Sequence, residues 1–234
     1  MEIDYTNIKV VGFDADDTLW INETYFRDAE IEFAKLMAPY ETANKVDQEL
    51  FKMEMKNLPL YGYGVKGFIL SMVEMAMVLS NGNVSNETID SILNIGKNMI
   101  NKPVELLKGV EEVLDELSSK YRLILATKGD LLDQERKLEK SGLLDRFHHI
   151  EVLSDKKEEN YSRLLKHLDI APNEFLMIGN SLKSDIIPLV NIGAQAIHVP
   201  FHTTWAHEQV TQEETNGKNY KTHSSLLEIL NTLN

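Results

Sequence analysis

Residues 10–20 read VVGFDADDTLW: a Val-rich apolar run that stops at three acids within four positions, Asp14, Asp16 and Asp17. A short continuous apolar run bounded by polar residues is the pattern of a strand buried on both faces, as in a parallel sheet. The preceding residues extend it to NIKVVGFDA. The run therefore predicts an opening core strand, and its end raises a question of charge, because like charges crowd there without a visible counter-ion.

Downstream of Gly109 the chain alternates between amphipathic and short apolar segments. VEEVLDELSSK, LLDQERKLEKSG, EENYSRLLKHLD and SDIIPLVNIG read as helices, and YRLILAT, HHIEVL, EFLMIGN and AQAIHVP as strands. Strand–helix alternation at this spacing predicts a parallel sheet with crossover helices on both faces, an α/β fold with a Rossmann-like core. Gly142 and Gly193 stand where helix C-terminal caps are expected, and Pro172 lies in a helix-to-strand turn. Residues 19–103 read differently. ETYFRDAEIEFAKLMAPY aligns Phe26, Ala29, Phe33 and Leu36 or Met37 on one helical face, and KGFILSMVEMAMVLSN is a further helix in which Met72, Met75 and Met77 are expected to pack. The expected division is a core of residues 1–18 and 104–234, with an all-helical cap, 19–103, inserted after the first strand. Residues 202–219 are polar and turn-rich, and predict a surface excursion before a last short strand near Tyr220 and a helix over 224–233.

Composition narrows the function. The 234 residues carry a net charge of -13 without clustered Lys and Arg, which argues against nucleic-acid binding by phosphate neutralisation. With no cysteine, thiolate catalysis and thiolate-bound metals are excluded. No apolar stretch reaches the roughly 18–20 residues of a membrane helix, and MEIDYTNIKV lacks a signal-peptide pattern, so a soluble cytoplasmic protein is expected, of open oligomeric state.

In an open parallel sheet, ligands bind beyond the carboxyl ends of the strands. Four such ends offer polar groups here: Asp14; Thr127 after LILA; Asp155 to Lys157 after IEVLS; and Asn180, Ser181 and Asp185 after FLMIG. Asp14, Asp16 and Asp185 near one point would repel unless a divalent cation joined them, and an all-oxygen ligand set suits Mg²⁺. A carboxylate nucleophile, a metal and an ammonium together suit phosphoryl transfer, with Asp16 able to serve as the second acid.

DADDT, Thr127 closing LILAT, Lys156 in SDKKEENY, and GNSLKSD resemble, in that order, the four motifs of the haloacid dehalogenase-like (HAD) superfamily. LLKGVEEVLDEL resembles the family's entry into the core after its cap. The resemblance implies a Mg²⁺-dependent phosphomonoester hydrolase acting on a small phosphorylated metabolite. It implies Asp14 as nucleophile and metal ligand, and Asp16 as general acid/base and a ligand through its backbone carbonyl. It further implies Thr127 as a phosphate hydrogen-bond donor, a motif lysine, and Asp185 as a metal ligand. An acid at position 16 favours a phosphatase over a dehalogenase. The sequence departs from the family pattern twice: Asn180 stands where an Asp is common, and Lys156 and Lys157 are adjacent without a following Pro, spacing to Tyr161 favouring Lys156.

Other residues carry weaker signals. Asp17 and Thr18 read as turn and capping residues, Ser184 as a helix cap, Lys183 as solvated, and His198, His202 and His207 as surface histidines rather than a zinc site. LPLYGYGVKGF reads as a glycine-rich loop between helices, from which Tyr63 and Lys66 could reach a substrate, as could Asn180 from the core. Two alternatives to hydrolysis stay open: a phosphomutase-like phosphotransferase on the same scaffold, and a receiver-like domain that keeps phosphate on Asp14.

Overall fold

The structure, a computed structural model, describes residues 5–233; residues 1–4 and 234, which belong to the expected core, lie outside the described residues. The chain divides into two compact units. One comprises residues 1–23, 104–128 and 136–234; the other comprises residues 24–103 and 129–135.

The first unit holds a six-stranded sheet of β1 (Val10–Phe13), β2 (Arg122–Lys128), β3 (His149–Leu153), β4 (Phe175–Gly179), β5 (Gln195–His198) and β6 (Lys221–Thr222), in the order β3-β2-β1-β4-β5-β6. Every pairing is parallel. β1 is central, and Gly12 stands level with Ile124 on one side and Met177 on the other.

The central strands β1 and β4, and the middle of β2, are apolar because alternate side chains feed two cores. Val11 and Phe13, Leu123 and Leu125, and Leu176 and Ile178 face one core, with Val113, Leu114 and Leu117 of the helix Val110–Ser118. Val10, Ile124, Ala126, Phe175 and Met177 face the other, with Tyr161, Leu164 and Leu165 of the helix Glu158–His167. A side chain at Gly12 would place its Cβ 2.5 Å from the Phe175 ring, so glycine makes room for that aromatic. From β1 the chain builds outward to β2 and β3, then returns to start β4 on β1's other side. The loops after β1 and β4 thus diverge from adjacent strands, which makes their carboxyl ends the topological switch point.

The second unit is built on four helices, Glu23–Met37, Ala43–Tyr61, Val65–Leu79 and Asn86–Asn101, the first of which begins one residue before it. Their apolar faces meet around Phe33, Met37, Leu50, Phe68, Met72 and Ile92. Met72 and Met75 are buried as expected, but Met77 is 53% exposed, on the outer face of its helix. The expected glycine-rich loop is shorter than its composition suggests. The second helix runs through Pro59 to Tyr61 and the third starts at Val65, so only Gly62 to Gly64 connect them. Gly62 and Gly64 have φ of 72° and 103°, conformations that favour glycine, and a Cβ on Gly67 would lie 2.8 Å from the Gly62 carbonyl. These glycines serve a tight helix-to-helix turn.

The end of the chain also differs from its reading. Residues 224–233 form a 3₁₀ turn, Leu226–Ile229, and one helical turn, Leu230–Leu233, in place of a single helix. No helix among the described residues is long and apolar enough to cross a membrane.

Candidate active site

Asp14 follows the last residue of β1, and its N–H donates to the Ile178 carbonyl of β4 at 2.9 Å, so the neighbouring strand fixes its backbone. Its buried carboxylate accepts from Lys156 Nζ at Oδ1, 2.5 Å, and from Thr18 Oγ1 at Oδ2, 3.0 Å. The same Lys156 Nζ lies 2.6 Å from Asp185 Oδ1. Asp185 sits in a π-helical turn, Leu182–Ile186, beyond β4, and its Oδ2 accepts from the Ser181 N–H at 3.0 Å. A Cβ on Gly179 would fall 2.4 Å from the Asp185 carboxyl, so β4 must end in glycine for that carboxylate to lie where it does. Lys156 is 1% exposed at its side chain, whereas Lys157 is 72% exposed and paired with Asp155. Tyr161, one turn on, is buried and donates to the Ser184 carbonyl at 3.1 Å.

The electrostatics differ from the expectation of three converging acids. Among the described residues, no three or more His, Cys, Asp or Glu side chains are grouped to hold a metal. The Asp14–Asp185 repulsion is offset by Lys156, and the Asp16 carboxylate turns aside to accept from Trp20 Nε1 at 2.7 Å and Lys137 Nζ at 2.9 Å. Burial raises the Asp14 carboxyl to about 7, the Lys156 ammonium opposing and Asp185 reinforcing the rise. For Lys156 burial acts downward, but the two carboxylates outweigh it and hold its pKa well above the ordinary value. Two buried carboxylates against one ammonium leave a net negative charge with hard oxygen donors, a set that fits a divalent cation such as Mg²⁺.

Thr127 lies buried near the carboxyl end of β2, its hydroxyl donating to the Lys128 carbonyl at 3.2 Å. Asn180 accepts from Thr18 Oγ1 at 3.4 Å, and its backbone carbonyl accepts from His198 Nε2 at 3.0 Å. His198 is therefore half-buried support for this loop rather than a surface histidine, because its ring turns inward at the end of β5. Lys66 and Tyr63 lie in the helical unit. The Lys66 ammonium pairs with Asp130 at 2.8 Å, and its side chain is 54% exposed.

Several participants escaped sequence reasoning. Thr18 touches the Asp14 carboxylate directly. Asp17, by contrast, has the turn and capping role expected of it: with φ of 62° it accepts from the Asn22 and Glu23 N–H groups at the start of the first helix. Lys183 is engaged, not merely solvated, since it donates to the His207 carbonyl at 2.6 Å. The cap of the π-helical turn is Ser181, which accepts from the Ser184 N–H at 3.0 Å. A serine three residues before Ser184 was the available signal for that cap.

A parallel α/β core with a carboxylate–ammonium–carboxylate centre at its switch point defines a class of protein. The haloacid dehalogenase-like hydrolase family matches over residues 8–193, and the chain belongs to that family. It is 25% identical over 202 residues to the rat N-acylneuraminate-9-phosphatase, covering 82% of each chain, and 24% identical to the human protein over the same length. Among solved structures, a haloacid dehalogenase-like hydrolase of Xanthomonas campestris superposes with a TM-score of 0.86 at 36% identity, over 97% of this chain and 92% of that one. The HAD-hydrolase YfnB of Bacillus subtilis, bound to magnesium, superposes with a TM-score of 0.64 at 17% identity, over 97% of this chain and 99% of that one.

Proposed function

We propose that this hydrolase cleaves the phosphate monoester of a small metabolite, with Asp14 as nucleophile and Mg²⁺ as cofactor. The observation that carries the proposal is the buried Lys156 ammonium shared by Asp14 and Asp185. It supplies positive charge beside a strand-end carboxylate, where an anionic phosphoryl group must approach. The similarity to N-acylneuraminate-9-phosphatases supports a phosphate ester as the bond broken.

The residues divide the chemistry among them. An oxygen of Asp14 attacks phosphorus, the ester P–O bond breaks, and the Asp16 carboxyl gives its proton to the departing oxygen. Asp16 then takes a proton from water, the water oxygen attacks phosphorus, and the bond to Asp14 breaks to release phosphate. Asp16 must exchange Trp20 and Lys137 for the leaving oxygen to do this. Thr18 fixes the Asp14 carboxylate, Thr127 donates to a phosphoryl oxygen, and Lys156 offsets charge on both. Asp14, Asp185 and the Asp16 carbonyl would hold Mg²⁺, which when bound supplies further neutralisation of the phosphoryl oxygens. We assign the helical insertion, residues 19–103, as the cap that selects the ester, with Tyr63 and Lys66 as substrate-facing candidates and Asn180 as a further contact from the core.

Release of inorganic phosphate from a panel of sugar, nucleotide and amino-alcohol phosphates, with Mg²⁺ and with chelator, tests the reading. Turnover of at least one ester that needs Mg²⁺ is expected. Full turnover in excess chelator, or none on any ester, would contradict it.

A further inference from the structure

Outside the centre on Asp14 there is a second, partly buried charged cluster, built around a residue 23 positions beyond Asp185 in sequence. Glu208 lies in a short 3₁₀ turn, Ala206–Glu208, in the polar stretch that follows β5. One carboxylate oxygen accepts from Lys128 Nζ at 2.6 Å. The other accepts from Ser181 Oγ and Ser184 Oγ, each at 2.5 Å. Lys128 Nζ also donates to Ser184 Oγ at 2.8 Å, and the neighbouring His207 carbonyl is held by Lys183. Burial alone would raise the Glu208 pKa, but the Lys128 charge and these hydrogen bonds outweigh it and bring it to about 2. Glu208 is thus a fixed anion across the working pH range.

What Glu208 holds points to its role. Ser181 gives its hydroxyl to Glu208 and its N–H to the Asp185 carboxylate, so a single residue links the two acids. Ser184 is Asp185's chain neighbour. Lys128 closes β2 directly after Thr127. A π-helical turn is seldom stable on backbone hydrogen bonds alone, and here side chains from two distant segments secure it. We propose that Glu208 is a positioning residue: it clamps the Ser181–Asp185 turn to the end of β2 and thereby fixes the Asp185 carboxylate for metal binding. Partners that orient a metal ligand commonly change metal affinity or activity by 10–100-fold when removed.

The inference rests on the proposed Mg²⁺ site, so the experiment measures the metal directly. Mg²⁺ alone is titrated calorimetrically into wild type, Asp185→Asn, Glu208→Gln and Ser184→Ala, each checked for folding by circular dichroism. Wild type is expected to bind and Asp185→Asn to lose binding. Glu208→Gln, which removes the carboxylate charge from between Lys128 and the two serine hydroxyls, is expected to bind about tenfold more weakly. Ser184→Ala keeps the Lys128–Glu208 ion pair and should fall between. Unchanged affinity in folded Glu208→Gln would overturn the clamp. Should that variant fail to fold, wild-type affinity in Ser184→Ala would overturn it. No Mg²⁺ binding by wild type, or equal binding by Asp185→Asn, would remove the metal site itself and the clamp with it.

Discussion

Replacing Lys156 with methionine keeps most of the length of the side chain and removes its charge. The ammonium lies 2.5 Å from Asp14 Oδ1 and 2.6 Å from Asp185 Oδ1. The two oxygens are therefore no more than about 5 Å apart, and two ionised carboxylates at that distance repel by ~3 kcal/mol at an effective dielectric of about 20, a cost that proton uptake by Asp14, already raised to about 7 with Lys156 in place, limits in the variant. Removing one partner of a buried ion pair generally costs about 3–5 kcal/mol, in line with this value. A loss of that size lowers the melting temperature of a chain of this length by roughly 10 °C. Differential scanning fluorimetry at pH 8 in chelator should find this drop for Lys156→Met and almost none for Lys157→Met, whose side chain is exposed and paired with the half-exposed Asp155. Phosphatase activity should fall by more than about 100-fold in Lys156→Met and stay near wild type in Lys157→Met. Mg²⁺ should recover part of the stability lost in Lys156→Met, because a cation between the carboxylates replaces the missing charge. Equal stability of the two variants, or the opposite ranking of their activities, would refute the argument.

Asp16→Asn should slow hydrolysis of alkyl phosphates by at least about 10-fold more than that of aryl phosphates, since poor leaving groups depend on proton donation. Equal losses on both, measured as kcat, would count against an acid/base role. Burial, helped by Asp16 and Glu23 and opposed by the Asn22 and Glu23 N–H groups, raises Asp17 from 3.8 to about 8. Its folded pKa lies above the unfolded one, so the stability carried by its protonated form is complete below about pH 4 and is lost as pH rises through about 8. Asp17→Asn, whose amide does not titrate and tolerates a positive φ, should therefore gain stability over wild type as pH rises across that window. The expected gain is on the order of 1–3 kcal/mol at pH 9, read from melting in chelator; a constant difference between pH 4 and 9 would sink the assignment. Lys66→Ala and Tyr63→Ala should change relative rates among bulky phosphate esters by several-fold while sparing acetyl phosphate. An unchanged profile would leave the turn between the second and third helices as a connector.

What could be read from the sequence follows from how far each interaction reaches along the chain. VVGF, LILAT and FLMIG announce buried strands by composition alone, and a parallel sheet then obliges Asp14 and the Asn180–Asp185 loop to share one edge. The buried lysine was accessible by spacing, since the offset to Tyr161 in the following helix selects position 156 over 157. LPLYGYGVKGF misled because glycine-rich composition is equally suited to a mobile loop and to a tight turn with a close approach at Gly67. The direction of the Asp16 side chain was not accessible, because it depends on Lys137, 121 residues away, as well as on Trp20. Glu208 carries no local signal at all, lying 80 residues from Lys128 in a stretch whose polarity reads as solvent-facing. Periodicity records which face of an element is buried; it does not record which polar side chains cross between loops.

The central claim is that Asp14 becomes phosphorylated, and trapping that intermediate tests it most directly. Enzyme quenched during turnover is reduced with borohydride, which converts an aspartyl phosphate to homoserine, and the peptides are then sequenced by mass spectrometry. The account predicts homoserine at position 14 only when a phosphate ester was present, and none in Asp14→Asn. Steady turnover with an unmodified Asp14, or with the reduction found at another acid, would contradict it.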